Sequence, residues 1–313
     1  MAIENIIATI ESLNDEGIKF ASEKEYGKSI EVHQRAKDIA YENKEDLGID
    51  YFLLSSANVA YSLRQADRIA SSELILAGKF PVITSYFSND RHKKTFFGTA
   101  RVNEEMGVTK SYRGKQENDK AALDDAVSYL TAAVGLYNDA LRNKDSEIRD
   151  EAAIKNRLFR TYGLLSVAFS DIKDHINAER YARLELDSRL ETGESDTYNL
   201  MNAYHTLACA QTELAGNDIK MYDAAKENLE TAKTMAEKHV KTVLELRSAW
   251  LEYVRNPSSE DRIEECLDRF FASNSHEGSG LSRTLVSYFS DNLRMIKESV
   301  SGKYQCMINH ILR

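Results

Sequence analysis

Residues 10–43 read IESLNDEGIKFASEKEYGKSIEVHQRAKDIAYEN, and the fold is decided there. Leu13, Gly17 and Phe20 follow one another at intervals of four and three residues, which places them on one face of an α-helix. The stretch SEKEYG breaks that pattern, and Ser29, His33 and Ala36 then mark one face of a second helix. Short side chains at Gly17, Ser29 and Ala36 let the two helices approach closely. Leu13, Phe20 and His33 fill the space between them, so the segment reads as an antiparallel helix pair.

The arrangement returns 41 residues later, with Leu54, Asn58 and Tyr61 on a first helix and Ala70, Leu74 and Ala77 on a second. In both copies twelve residues separate the small position of the first helix from that of the second, 17 to 29 and 58 to 70. Pro81 follows, where a helix stop is expected. Looser copies come next. DDAVSYLTAAVGLY supplies Ala126, Leu130 and Ala133, with a partner helix that includes Phe97 and Gly98 and implies a long insertion between the two. RLFRTYGLLSVAF supplies Phe159, Gly163 and Ser166, followed by Ala178 and Ala182. MNAYHTLACAQTEL supplies Tyr204, Ala208 and Gln211, followed by Ala225, Leu229 and Ala232. Repetition at a fixed period is the mark of a stacked array.

On these residues the chain resembles the tetratricopeptide-repeat family, whose pattern sets large, small and aromatic residues on the first helix and small, aromatic and small residues on the second. The sequence departs from that pattern: the leading tryptophan is missing, Asn58 replaces a small residue, and the period near 41 is longer than the family's. The resemblance implies an all-α, right-handed superhelical solenoid of about five antiparallel helix pairs. The expected organisation is a repeat array over 1–256, with an irregular insertion near 99–120, and a C-terminal helical cap over 257–313. In the cap, Pro257 and Ser258 open a helix with a capping-box-like Asp261, SNSHEGSG (273–280) is a linker, and a last helix runs from Leu281 to Ser299. The structural alternative is an irregular helical bundle whose Ala and Leu spacing imitates repeats.

Composition agrees with helices. Only 2 prolines and 14 glycines occur in 313 residues, too few for the turns of a β-rich protein. Hydrophobic content is 42% and charged content 29%, which fits a thin stacked core with much surface in water. A net charge of −9 argues against a general nucleic-acid or anionic-membrane binder. Cys209, Cys266 and Cys306 are odd in number and far apart, as expected of free thiols in a reducing, cytoplasmic setting. The N-terminus carries Glu4 and Glu11 without an early Lys or Arg, unlike a secretory signal.

No phosphate-binding, nucleophile-elbow, dinucleotide or HExxH motif occurs, so the reading is of a non-catalytic protein without cofactor or metal. In a stack of helix pairs the first helices line a concave groove, and residues beside their packing positions point into it. Those residues are Glu11, Asn14 and Ile18; Arg157, Arg160 and Leu164; and Asn202, His205 and Cys209. Asn can hydrogen-bond a peptide backbone and Arg can hold a carboxylate at two points. Asn14, Arg157, Arg160, Asn202 and His205 are therefore the expected contacts to a protein or peptide partner, in an adaptor or in a peptide-responsive regulatory sensor. Self-association is left open. Some family members clamp a chaperone tail with Lys and Asn residues; Ile18 stands where a second Asn would be needed, and that ligand is not expected.

The stretch 89–115 is locally basic, with Arg91, Lys93, Lys94, Arg101, Lys110, Arg113 and Lys115 among Phe96, Phe97 and Tyr112. It reads as solvated, or as pairing with acidic surface elsewhere in the chain, ahead of a phosphate or nucleic-acid contact. Trp250, at helical spacing from Leu246 and Val254, reads as core.

Overall fold

The structure, a computed structural model, describes residues 3–87, 96–143, 150–215, 218–256 and 263–268. Helices account for it, with no strand among the described residues. In order they are α1 (Ile3–Ser22), α2 (Tyr26–Glu42), the single turn α3 (Lys44–Leu47), α4 (Asp50–Gln65), α5 (Ile69–Ala77), α6 (Phe80–Phe87) and α7 (Phe96–Glu117). Then come α8 (Lys120–Arg142), α9 (Glu151–Asp171), α10 (His175–Glu191), α11 (Thr197–Leu214), α12 (Ile219–Met235) and α13 (Lys238–Arg255). The chain divides into two compact units, Met1–Asp174 and His175–Arg313.

In the first unit α1 packs on α2, α4 on α5 and α7 on α8, and each first helix also touches the next: α1 on α4, α4 on α7, α7 on α9. The two-sided burial of α4 and α7 follows from that stacking. Leu13, Gly17, Ser29, His33 and Ala36 are buried as their spacing predicts. Gly17 is needed: a Cβ there would lie 2.5 Å from the His33 ring, which occupies the space of the missing side chain. In the second unit Ala208, Gln211, Ala225, Leu229 and Ala232 are buried where α11 meets α12, and α13 packs on α12. Trp250 is buried too.

The corners share one device. Lys24, Asp67, Asn118 and Lys173 all have positive φ, between 53° and 67°. After each, the next backbone N–H reaches back five residues: Glu25 to Phe20, Arg68 to Leu63, Asp119 to Gly114 and Asp174 to Phe169, at 2.8–2.9 Å. This left-handed cap ends a first helix and turns the chain toward the second. Gly193 at φ 68° closes α10 the same way, with Glu194 N–H bonded to Arg189.

The second copy is displaced in register. Ala70, Leu74 and Ala77 are exposed, Leu74 at 75%, and Ile69, Ser72 and Leu76 take the buried places. Hydroxyl pairing explains the choice. Ser29 Oγ meets Ser62 Oγ at 2.8 Å across α2 and α4, and Ser72 Oγ meets Thr109 Oγ1 at 3.1 Å across α5 and α7. The second helix does stop ahead of Pro81, at Ala77, and Pro81 itself sits in the first turn of α6, where its missing N–H costs nothing. Where an irregular insertion is expected over 99–120, α7 runs unbroken to Glu117. The expected cap over 257–313 lies outside the described residues, apart from 263–268, where Ile263, Cys266 and Leu267 are buried.

Candidate functional site

The site is built around α7. A carboxylate of Asp50, the first residue of α4, accepts the Gly98 N–H at 2.9 Å and so caps the start of α7 from another helix. A side chain at residue 98 would strike that carboxylate, which is why glycine stands there. The anchored helix buries Phe97, Ala100, Val102 and Met106, and with them Arg101, Asn103, Glu104 and Glu105.

Buried charges need partners. Glu105 Oε1 takes two contacts from Arg64 of α4, Nε at 2.8 Å and Nη2 at 2.7 Å. Arg64 also lies 5.5 Å from the Tyr61 ring centroid and 5.0 Å from that of Tyr112. Burial would favour its neutral form, and Glu105 outweighs that and keeps it charged.

Glu104 is asked for more. The Tyr137 hydroxyl of α8 donates to its Oε2 at 2.5 Å, and Thr161 Oγ1 of α9 approaches the same oxygen at 3.5 Å. Arg101 Nη1 lies 2.7 Å and Arg157 Nη1 3.7 Å from its Oε1. Burial alone would raise the Glu104 carboxyl; Arg101, Arg157 and Arg160 override it and hold it at about 2. Burial and the Glu104 charge both push the Tyr137 hydroxyl up.

Two guanidinium groups thus share one carboxylate, and the charge of a third, Arg160, acts on it without an ion pair. The crowding is legible on Arg157, whose pKa is lowered to about 10, first by Arg101, then by burial and by Arg160, against the pull of Glu104. Glu104 is 1% exposed and Arg157 34%, while Arg160 is exposed and has no ion pair among the described residues. Tyr61 flanks them half-buried; burial raises its hydroxyl, and the charge of Arg160 acts on it in the opposite direction. The outer edge of this cluster presents positive charge and aromatic surface to water.

Of the expected contacts, Arg157 and Arg160 stand together here. Asn14 does not join them and is no surface contact. It is buried, and its amide donates to Ser55 Oγ at 3.1 Å, accepts from Asn58 at 3.0 Å and faces His33 Nδ1 at 3.3 Å. Its side chain is consumed by packing between α1, α2 and α4. Asn202 and His205 lie on α11 in the second unit, both half-buried. His205 Nε2 is 3.3 Å from Cys209 Sγ. Burial, aided by Arg247, lowers His205 to about 3, and burial pushes the Cys209 thiol up. Both shifts oppose a thiolate–imidazolium pair, so at neutral pH this is a thiol beside a neutral imidazole. No group of three His, Cys, Asp or Glu side chains fit to hold a metal occurs among the described residues.

Arg64, Glu104, Glu105, Tyr137 and Thr161 escaped the sequence reading, which named Arg101 only as one of a basic stretch. Their one signal is the i, i+3 spacing of Arg101 and Glu104, common to countless exposed helix pairs. The basic stretch pairs inward: Lys110 and Arg113 hold Glu73 at 2.7 and 2.8 Å, and Lys115 holds Asp171 at 2.9 Å. Arg91, Lys93 and Lys94 lie outside the described residues. No helix among the described residues is long and apolar enough to cross a membrane.

The sequence matches no protein-family model, and no curated protein matches it. Solved structures do. The apo form of RapI superposes with a TM-score of 0.58 at 13% identity, covering 97% of this chain and 95% of that one. A tetratricopeptide repeat protein from Parabacteroides merdae gives 0.46 at 11% identity, over 97% of this chain and 98% of that one. A kinesin light chain with nearly identical TPR-like repeats, from Podosopora anserina, gives 0.48 at 13% identity, over 72% and 94%. The chain has a tetratricopeptide-like helical-repeat fold.

Proposed function

We propose that the protein is a non-catalytic binding module whose first unit receives an acidic segment of a peptide or protein at Arg157 and Arg160. One observation carries this reading: the buried carboxylate of Glu104 pairs with Arg101 and Arg157 and lies in the field of Arg160, and the two of these arginines nearest to solvent are the two on α9. A guanidinium crowded by its own kind gains from an incoming carboxylate, and Arg offers two-point contact to it. Tyr61, half-buried and under the charge of Arg160, adds aromatic surface. The overall charge of −9 favours a short acidic segment at this local positive spot over a long polyanion. Asn202 and His205 are retained as contacts in the second unit on the strength of their place on α11 alone.

Fluorescence anisotropy with labelled hexapeptides tests it. An acidic peptide of Glu and Tyr binds, its neutral Gln analogue binds at least about tenfold more weakly, and added salt weakens the acidic one. Arg157→Gln with Arg160→Gln abolishes the difference while circular dichroism stays unchanged. Equal binding of the two peptides by the native chain rules the reading out.

A ligand-responsive regulator is the second reading. It draws on the likeness to RapI, described in an apo form and alike over nearly the whole chain. Compaction in solution scattering on adding the acidic peptide supports it, and an unchanged profile leaves the plain binding module.

A further inference from the structure

Charge can be counted at the outer edge of the cluster around α7. Buried Arg64 and Glu105 form one matched pair at 2.7 Å, and buried Arg101 and Glu104 form another, also at 2.7 Å. Arg157 comes late to a carboxylate already taken. Its Nη1 lies 3.7 Å from Glu104 Oε1, the oxygen that Arg101 holds more closely, and the Tyr137 hydroxyl occupies Oε2 at 2.5 Å. Arg160, three residues on along α9, is exposed and has no ion pair among the described residues. Four arginines against two carboxylates leave two positive charges, and these sit on the two side chains that reach water.

Residues three apart on a helix are neighbours on its face, with Cβ atoms about 5–6 Å apart. Arg157 and Arg160 can therefore close on one anion together. A single carboxylate falls short of that pair, because it brings one negative charge and leaves one arginine unanswered. A phosphomonoester brings a charge of about −2 at neutral pH and three terminal oxygens, enough for both guanidinium groups to engage it. Leu164, half-buried and one turn on from Arg160, offers an apolar seat to a neighbouring residue of the ligand. That seat favours a phosphorylated segment over free phosphate.

We infer, resting on the reading of Arg157 and Arg160 as the receptor of an acidic segment, that the acid is the phosphomonoester of a phosphorylated side chain, so that phosphorylation of the partner sets its affinity.

Fluorescence anisotropy tests this at pH 7.5 with labelled hexapeptides alike except at one position, which is phosphoserine, Glu or Gln. The phosphoserine peptide binds at least about tenfold tighter than the Glu peptide. It also binds severalfold tighter than a Glu-Gly-Glu peptide, which divides the same charge between two groups. From pH 7.5 to 5.5 it weakens about fourfold as the phosphate takes up its second proton near pH 6, while the Glu peptide barely changes. Arg160→Gln, at an exposed position, cuts the phosphoserine-to-Glu ratio severalfold. Inorganic phosphate displaces the phosphopeptide only in excess of about a hundredfold. Circular dichroism establishes that the chain is folded in each case. Phosphoserine no tighter than Glu, with Glu above Gln, overturns this inference and leaves the acidic-segment reading intact. Three equal affinities remove both. Displacement by inorganic phosphate at parity, or Glu-Gly-Glu bound as tightly as phosphoserine, overturns the inference as well.

Discussion

The first unit sets one carboxylate among three arginines, and the second sets one arginine between two carboxylates. In the second, Arg189 of α10 is buried, with Nη2 3.0 Å from Glu185 Oε1 and Nη1 3.2 Å from Glu194 Oε2. In the first, Glu104 pairs with Arg101 and Arg157 and lies in the field of Arg160, and the neighbouring Glu105, held by Arg64, adds a pull on Arg101. The Arg189 cluster is local to α10 and the corner after it, whereas the Glu104 cluster joins α7, α8 and α9. What differs is the side on which charge is left over. Arg189 has its carboxylates within the chain and reads as framework, whereas Arg157 and Arg160 have too little negative charge near them and can use more.

The sharpest way to break this comparison is to remove one acid from each cluster. Glu104→Gln takes the paired carboxylate from buried Arg101 and from Arg157 and costs about 3–5 kcal/mol. Glu185→Gln leaves Arg189 with Glu194 and costs about 1–2 kcal/mol. Urea unfolding measures both. Hydrogen exchange in α7 and α10 shows which unit has loosened. Equal losses would mean that the unequal acid counts have no energetic meaning.

Acid probes the two units through their histidines. His33 in the first unit is held at about 4 by burial, and His205 in the second at about 3. Both lie below the ordinary value near 6.5, so the unfolded chain takes up these protons first. Stability is therefore full above pH 6.5 and falls as pH drops toward those folded-state values. At pH 5 the loss is about 2 kcal/mol for each histidine. Urea midpoints at pH 7.5, 6 and 5 check the slope. His205→Gln removes only the share seen in exchange of α11, so the two units part company. A midpoint constant from pH 7.5 to 5 would show that neither imidazole is held neutral.

Much of the fold was legible and most of the site was not, for one physical reason. Spacing reveals a helix face when that face is apolar. Ala126, Leu130 and Ala133, or Ala225, Leu229 and Ala232, could be read because they are small or apolar and buried. α7 buries Arg101, Glu104 and Glu105 instead, so its pattern looked like solvent-facing charge and an insertion was expected there. The second copy slipped because Ser72, a polar residue, holds the place that Ala70 appeared to fit. Arg157 and Arg160 were reachable, since their register on α9 follows from Phe159 and Gly163. Asn14 passed the same test and failed in space, because its neighbours Ser55, Asn58 and His33 come from segments 41, 44 and 19 residues away.

The corners give the finest comparison. Gly193 closes α10 with a residue made for positive φ, while Lys24 and Lys173 close α1 and α9 with side chains that clash with their own backbone there. Substitution by glycine removes that clash and loosens the unfolded chain, and the first effect is the larger. Lys173→Gly and Lys24→Gly each stabilise by about 0.5–1 kcal/mol, a rise of a few degrees in Tm. Gly193→Lys does the reverse by a similar amount. The reason lies in geometry shared by the corners: each left-handed residue is followed by an N–H that must reach a carbonyl five residues back, and only that φ lets it. Were Lys173→Gly to destabilise, the lysine side chain would have to contribute more through its contacts than its backbone costs, and the caps would not be interchangeable.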